Sequence, residues 1–449
     1  MRKVTTLAYC DRTDIGRRRA NNQDAKAVLP ASPQDYRIRG WLFLVADGMG
    51  AHAAGELASA MAAERVPLRY EEHSEFSPPL ALKRSIEKVN GEINTKGERA
   101  AECRGMGTTC TTLVLHPRGA ILGHVGDSRG YRVRGRTIDQ LSRDHSLVWE
   151  IEAAMGAHVE HAADAVPKNI ITRSLGPHPK VDVDLEGPFP VESGDVFVLC
   201  SDGLSGVVDD AEIGLFAAEL EPAEAVAALI GLALVRGAPD NVTVIAVRAG
   251  QEEASRKARG DEPWPLSEEA TSNQRQGHLA WAALGAAAVG LLVALTINPW
   301  SMLTKAACDG SELIRATCLM ASLGGLLLAI GGGLYGMVAF LTPTSRGRLL
   351  HPGDLLGKGP YRSYDCTPTP GLIEGVVASL ESAADAIQVG DRDRTVAILA
   401  RARQHATAGA HHEAVTAIAE AIAIHVGEIE ASRGDATSRV ALPPDPPHG

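Results

Sequence analysis

The sequence predicts an α+β domain followed by two membrane-crossing helices and a small helical tail. Three patterns carry this prediction. From about Val4 to Ala249, short β-branched and aliphatic runs alternate with Gly and Asp turns and with helical patterns. The stretches Leu279–Ile297 and Cys318–Leu341 contain no charged residue, and beyond Gly371 apolar residues recur at helical spacing. A chain of 449 residues is also too long for one ordinary core.

The first domain is expected to occupy residues 1–250. Its start carries Arg2 and Lys3 but no apolar stretch of signal-peptide length, which places it in the cytoplasm. Seven cysteines show no Cys-x-x-Cys pair and no regular framework, against both structural zinc and a secreted disulfide scaffold. A formal net charge of −11 provides no basic field for a nucleic-acid backbone, so nucleic acid is excluded as a partner. Residues 251–278 are polar, mixed in charge and interrupted by Pro263 and Pro265, and read as a linker.

Each charge-free stretch, 279–297 and 318–341, is long enough to cross a hydrocarbon core as a helix. The loop between them, 298–317, holds Lys305 and Arg315. Arg275, Arg346, Arg348 and Lys358 flank the pair, so both long ends are expected on the cytoplasmic side of the cell (inner) membrane. Gly332 and Gly336 form a small-xxx-small pair suited to close helix approach. Cys308 and Cys318 would meet oxidising conditions outside, either bridged or as free thiols.

Residues 342–370, rich in Pro, Gly and Thr, read as a second linker. Over 371–432, Leu372, Val376, Leu380, Ala383 and Ile387, then Val415, Ile418, Ile422, Val426 and Ile429, predict two or three amphipathic helices packed together, with Gly390-Asp391 as a stop and the next cap. Such helices either recruit a kinase or substrate or serve packing alone. Residues 433–449 are expected to be disordered.

Function is read from acidic residues placed where apolar runs stop. Trp41–Ala46 runs into Asp47-Gly48-Met49-Gly50, Val196–Cys200 into Ser201-Asp202-Gly203, and Ile121–Gly126 into Asp127-Ser128-Arg129, while Asp240-Asn241 immediately precedes Val242–Val247. Continuous apolar runs imply strands buried on both faces, so four carboxylates are expected to converge at one end of a sheet sandwich. A lone Asp-Gly after a strand is an ordinary turn; several in distinctive surroundings are not. Clustered carboxylates raise one another's pKa and ionise together only beside a cation. Oxygen-only ligation, without a His or Cys cluster, suits Mg2+ or Mn2+. Two such ions about 3.5 to 4 Å apart acidify a shared water and aim it at phosphorus. Gly48 and Gly203 allow backbone to approach an ion closely.

The surroundings run in order: Thr13-Asp14-Ile15-Gly16 with Arg19 and Asn22-Gln23-Asp24; Val45–Gly50; Gly105-Met106-Gly107-Thr108-Thr109; Gly126–Arg129; Arg143-Asp144-His145-Ser146-Leu147-Val148; Ile171–Gly176; Leu199–Leu204; and Ala238–Thr243. This ordered set resembles the type 2C, metal-dependent serine/threonine protein phosphatase family in its bacterial form, over about Thr6 to Val247. The resemblance implies a β-sandwich of two antiparallel sheets flanked by helices, with two or three Mg2+ or Mn2+ ions in a cleft at one end. It also implies hydrolysis of phosphoserine and phosphothreonine in phosphorylated proteins, within bacterial signalling that involves serine/threonine kinases. By analogy Asp47 bridges two ions, Asp202 and Asp240 complete the first site, and the Gly48 carbonyl serves the second. Asp24 acts through a coordinated water, Asp127 partly holds a third, weaker ion, and Arg19 grips the substrate phosphate with a fork suited to its oxygens.

Two positions depart from the family pattern. Gln23 stands where Glu is usual, removing a negative charge beside the second ion. Met49 takes the place of a histidine proposed as general acid in animal members, and His52, three residues on, is not assigned that role. The segment from about Trp149 to Lys168 matches the family's flap beside the cleft. The alternative reading is a catalytically weak membrane scaffold that binds phosphoproteins through the same cleft; Gln23 supports it, whereas the retained aspartates favour an enzyme.

Overall fold

Every apolar run bordered by one of these aspartates is a strand in the computed structural model, which describes residues 7–50, 53–155, 170–250, 262–303, 312–341, 348–387 and 392–438. The chain begins β1 (Ala8–Asp14), β2 (Asp24–Leu29), α1 (Pro33–Ile38), β3 (Trp41–Met49), α2 (Ala53–Glu72), α3 (Pro78–Arg99), β4 (Gly107–Thr108), β5 (Cys110–His116) and β6 (Gly119–Val125). It continues β7 (Arg129–Arg134), β8 (Thr137–Gln140), α4 (Leu147–Met155), β9 (Asp184–Phe189), β10 (Val196–Cys200), α5 (Asp202–Ser205), α6 (Asp210–Glu219), α7 (Pro222–Val235) and β11 (Val242–Arg248). Then come β12 (Trp264–Pro265), α8 (Glu268–Leu303), α9 (Glu312–Leu341) and β13 (Leu349–Leu350), and last β14 (Arg362–Asp365), α10 (Pro370–Ile387), α11 (Arg392–Thr407) and α12 (His411–Ser438).

Two antiparallel sheets form the expected sandwich. One has the order β1-β11-β10-β7-β8-β14 and the other β2-β3-β5-β6-β9, with β4 paired to β3. Phe43, Val45, Leu113 and Leu122 of the second sheet share one buried cluster with Phe197, Leu199, Ile245 and Val247 of the first. Leu42 and Leu44 alternate with Phe43 and Val45 along β3 and are equally buried, because α2 and α3 cover the far side. At Gly123 of β6 a Cβ would lie 2.9 Å from Leu82 and Ile86 of α3, so the missing side chain lets that helix lie close on the sheet. Strands covered on both faces carry no polar alternation, which is why these runs are unbroken in sequence.

The outer face of the first sheet is covered by α6 and α7, and these in turn by the tail. Val376, Leu380, Ile398, Leu399, Ile418 and Ile422 belong to the same buried cluster as Leu215, Leu229 and Leu232. A Cβ at Gly231 of α7 would fall 2.4 Å from Ile422, and one at Gly214 of α6 would fall 2.7 Å from Cys366. The tail is therefore not a bundle apart from the first domain, and the region 342–370 is more than a linker: it supplies β14, which pairs with β8 along Arg362↔Gln140 to Asp365↔Thr137. One compact unit comprises Met1–Asp261 and Gly353–Gly449, the other Glu262–Pro352.

In the second unit α8 and α9 pack through small residues. A Cβ at Gly290 would lie 2.5 Å from the Gly325 carbonyl oxygen, and one at Gly332 would lie 2.6 Å from that of Ala283. The large aliphatic side chains Leu291, Leu292, Leu295, Leu323, Leu327 and Leu334 are exposed. Among the described residues no helix is long and apolar enough to cross a membrane. The two crossings expected from the sequence are therefore not supported among the described residues. Side chains at the ends of the two apolar stretches, the Cys308 and Cys318 thiols, Gly390-Asp391 and the last residues lie outside what is described.

Candidate active site

Strand pairing within each sheet, and the packing of the two sheets, bring the acidic residues together. Asp24 opens β2 and lies directly opposite Asp47 of β3. Asp202 is the first residue of α5, immediately after β10, and Asp240 precedes β11, the neighbour of β10. Asp127 follows β6, whose partner β5 is also the neighbour of β3.

Backbone contacts hold each carboxylate in place. Thr109 Oγ1 accepts a hydrogen bond from the Asp47 amide at 2.8 Å, and Thr108 Oγ1 donates to the Asp47 carbonyl at 3.0 Å. The Gly48 amide donates to the Gln23 carbonyl at 3.0 Å. A Cβ at Gly48 would lie 2.2 Å from the Gly55 carbonyl oxygen, so only glycine fits here. Asn241 joins the distant N-terminal motif to β11: its Nδ2 donates to the Ile15 and Asn21 carbonyls, and its Oδ1 accepts from the Gln23 amide at 2.8 Å. Gly16, at φ +76°, turns the chain so closely over residue 240 that a Cβ there would meet the Asp240 carbonyl at 2.1 Å. The following Arg19 donates from Nη2 to Asp240 Oδ2 at 2.5 Å.

The electrostatics are those of a cation site. Burial, then the charges of Asp24 and Asp202, hold the Asp47 carboxyl well above the usual carboxylate range. Burial raises Asp24 to about 6, although the Thr243 and Ser201 hydroxyls donate to its Oδ2 at 2.6 and 2.7 Å. Asp127 is pushed up to about 8 by burial, with Asp202 and Asp144 adding to it. Asp202 is raised chiefly by burial, with the charge of Asp240 adding to it. Asp24 Oδ1, Asp127 Oδ1 and Asp202 Oδ1 are buried with no hydrogen-bond partner. Buried acceptors without donors are costly, and a hard divalent cation satisfies all three as no side chain here does. Among the described residues no three His, Cys, Asp or Glu side chains stand together as a ready metal-ligand set. The residues present fit Mg2+ or Mn2+.

All the predicted acidic residues thus lie at one end of the sandwich, with Arg19 at its rim, its side chain 51% exposed. Met49 ends β3 and offers no proton to donate. His52 and residues 156–168 of the flap segment lie outside the described residues, whereas 149–155 fall in α4. Sequence reasoning missed Asn241, Ser201, Thr243 and Thr109 as the residues that hold the cluster, though Asn241 and Ser201 each adjoin one of its aspartates.

Comparison with known proteins points to one family. The model of the Protein phosphatase 2C family matches residues 16–230. Protein phosphatase PhpP of Streptococcus pneumoniae is 36% identical over 248 residues, covering 54% of this chain and 97% of PhpP. Among solved structures, the Mycobacterium tuberculosis serine/threonine phosphatase PstP/Ppp is 34% identical, covers 55% of this chain and all of its own, and has a TM-score of 0.48. A PstP catalytic domain described in complex with 2 manganese ions is 32% identical over the same shares, with a TM-score of 0.45. A chain that reproduces nearly the whole of PhpP at such identity shares its descent, and it belongs to the protein phosphatase 2C family of metal-dependent serine/threonine phosphatases.

Proposed function

We propose that the chain hydrolyses phosphoserine and phosphothreonine in proteins at the carboxylate cluster, within signalling that pairs it with serine/threonine kinases. The observation that carries this reading is the set of three buried, partnerless carboxylate oxygens on Asp24, Asp127 and Asp202 beside Asp47. When bound, Mg2+ or Mn2+ supplies the positive charge these carboxylates lack and an acidified water for attack on phosphorus. Asp47, Asp202 and Asp240 would hold the first ion, Asp47 and the Gly48 carbonyl the second with Asp24 behind them, and Asp127 part of a third. Arg19, paired with Asp240 at the rim, carries a planar fork suited to phosphate oxygens and would hold the substrate phosphate there. The full chain is expected to release phosphate from phosphothreonine peptides with Mn2+ and to stop in excess chelator; turnover that survives the chelator overturns the proposal.

We further propose that the exposed aliphatic faces of α8 and α9 hold the protein at a membrane. Small residues inside and leucines outside invert the pattern expected of a helix pair packed in water. The full chain is expected to float with phospholipid vesicles; sedimentation as free protein refutes this location.

A further inference from the structure

The segment between the second unit and β14 makes contacts that neither packing of the tail nor extension of the sheet requires. Leu356 exchanges backbone hydrogen bonds with Gly187 of β9. Glu186 Oε2 accepts from the Lys358 and Gly359 amides, both at 2.9 Å, and Glu186 Oε1 accepts from the Tyr361 hydroxyl at 2.6 Å. There is no space for a Cβ at Gly357, since it would lie 1.9 Å from Glu186. On its other side the same strap holds α4. The Arg362 guanidinium lies 4.0 Å over the Trp149 ring and pairs with Glu152, and the Tyr361 ring meets Trp149 edge-on at 6.2 Å.

The two gripped elements converge on one side chain. Asp184, two residues before Glu186, contacts His145 Nε2 at 3.0 Å. His145 itself lies two residues before α4, and its carbonyl accepts from the Thr172 amide at 2.8 Å. His145 Nδ1 accepts from the Gly126 amide at 3.0 Å, and its own amide donates to the Gly126 carbonyl at 2.8 Å. Gly126, at φ +116°, immediately precedes Asp127, and a Cβ there would meet Thr109 at 2.6 Å. Thr109 also binds the Asp47 amide. The loop that presents Asp127 is thus set by His145, and the strap fixes both elements that seat His145.

We propose that Tyr361 and Arg362 are positioning residues for the Asp127 arm of the cation cluster: through β9 and α4 they set how tightly Asp127 holds its ion. This rests on the cluster being the cation site proposed above. Groups that orient a ligand from behind typically alter metal affinity by about 10–100-fold when lost. A strap acting one step further back is placed at the low end of that range.

The test is Mn2+ titration of the full chain by calorimetry, with thermal melting as a control for folding. Tyr361→Phe and Arg362→Ala are expected to weaken the weakest Mn2+ phase about tenfold and leave the tighter phases unchanged. Arg362→Lys, which keeps the charge over Trp149, restores most of the loss. Asp127→Asn removes the same phase, and adding Arg362→Ala to it changes nothing further, as residues acting through one another should not add. Tyr361→Phe deletes a single hydroxyl, so it keeps the question answerable if Arg362→Ala melts early. Variants that titrate like the wild type, or an Arg362→Ala effect that falls on the tighter phases, overturn the inference. A wild type that binds no Mn2+ instead refutes the cation site itself, and the two failures are distinct.

Discussion

Asp47→Asn is expected to lower kcat/KM toward a phosphothreonine peptide by at least about a thousandfold, equivalent to about 4 kcal/mol of transition-state stabilisation. The same substitution should stabilise the ion-free fold. Asp47 is buried opposite Asp24 and beside Asp202, and burial plus those neighbours raise its carboxyl. A raised carboxyl pKa means that the folded, ion-free chain keeps protons the unfolded chain has released. The stability these protons provide is complete below about pH 4, the ordinary Asp value, and is lost as pH rises through the folded values. Those values are about 6 for Asp24 and about 8 for Asp127. Ion-free wild type is therefore expected to melt at lower temperature at pH 8 than at pH 5, and Mn2+ to raise the melting point more at pH 8. The amide introduced by Asp47→Asn carries no charge to crowd its neighbours. The ion-free variant should then lose less stability toward pH 8 and respond weakly to Mn2+. Turnover within tenfold of wild type, or a variant that melts below wild type at pH 8 without ions, contradicts the role given to Asp47.

Truncation after residue 250 is expected to lower the melting temperature by about 10 °C or more, or to give insoluble protein. PhpP matches this chain over little more than its first half, which suggests a domain that stands alone, but here the outer face of α7 is covered by α12. Removing the tail bares the surface that receives Ile422 at Gly231 and Cys366 at Gly214, and leaves β8 as the sheet edge. Re-exposing four or five aliphatic side chains costs roughly 1.5–3 kcal/mol each, and each kcal/mol shifts melting by about 2–4 °C in a unit of this size. Adding residues 353–449 as a separate chain should recover part of the loss. A truncated chain that melts within about 3 °C of the full chain shows that the shared core contributes little.

Four of the five strands that carry the site were legible because burial on both faces leaves unbroken apolar runs, and the aspartates at their ends were legible as carboxylates in need of a cation; β2, only partly buried beyond Asp24, has no such run. Asn241 was not, since its partners lie about 220 positions away and nothing local marks a side chain that bonds to backbone. The docking of the tail was half legible. A helical period names the face that is buried, not what buries it, yet α7 is apolar on every side from Ala225 to Val235, the mark of a helix covered twice. β14 was hidden because Arg362-Ser363-Tyr364-Asp365 is a polar, mostly exposed edge strand. Apolar length in α8 and α9 showed avoidance of water, but not what takes its place.

The catalytic unit is discontinuous, with residues 262–352 inserted between its two parts. A ribosome that has just made β11 has finished every acidic residue of the site, but must add roughly 200 more before α12 can cover α7, a delay of roughly 10–40 s at common rates of synthesis. During that interval the nascent chain exposes the apolar side of α7 while the ends of the inserted hairpin emerge. The outer face of α7 is therefore the last part of this shared core to be covered as the chain is made.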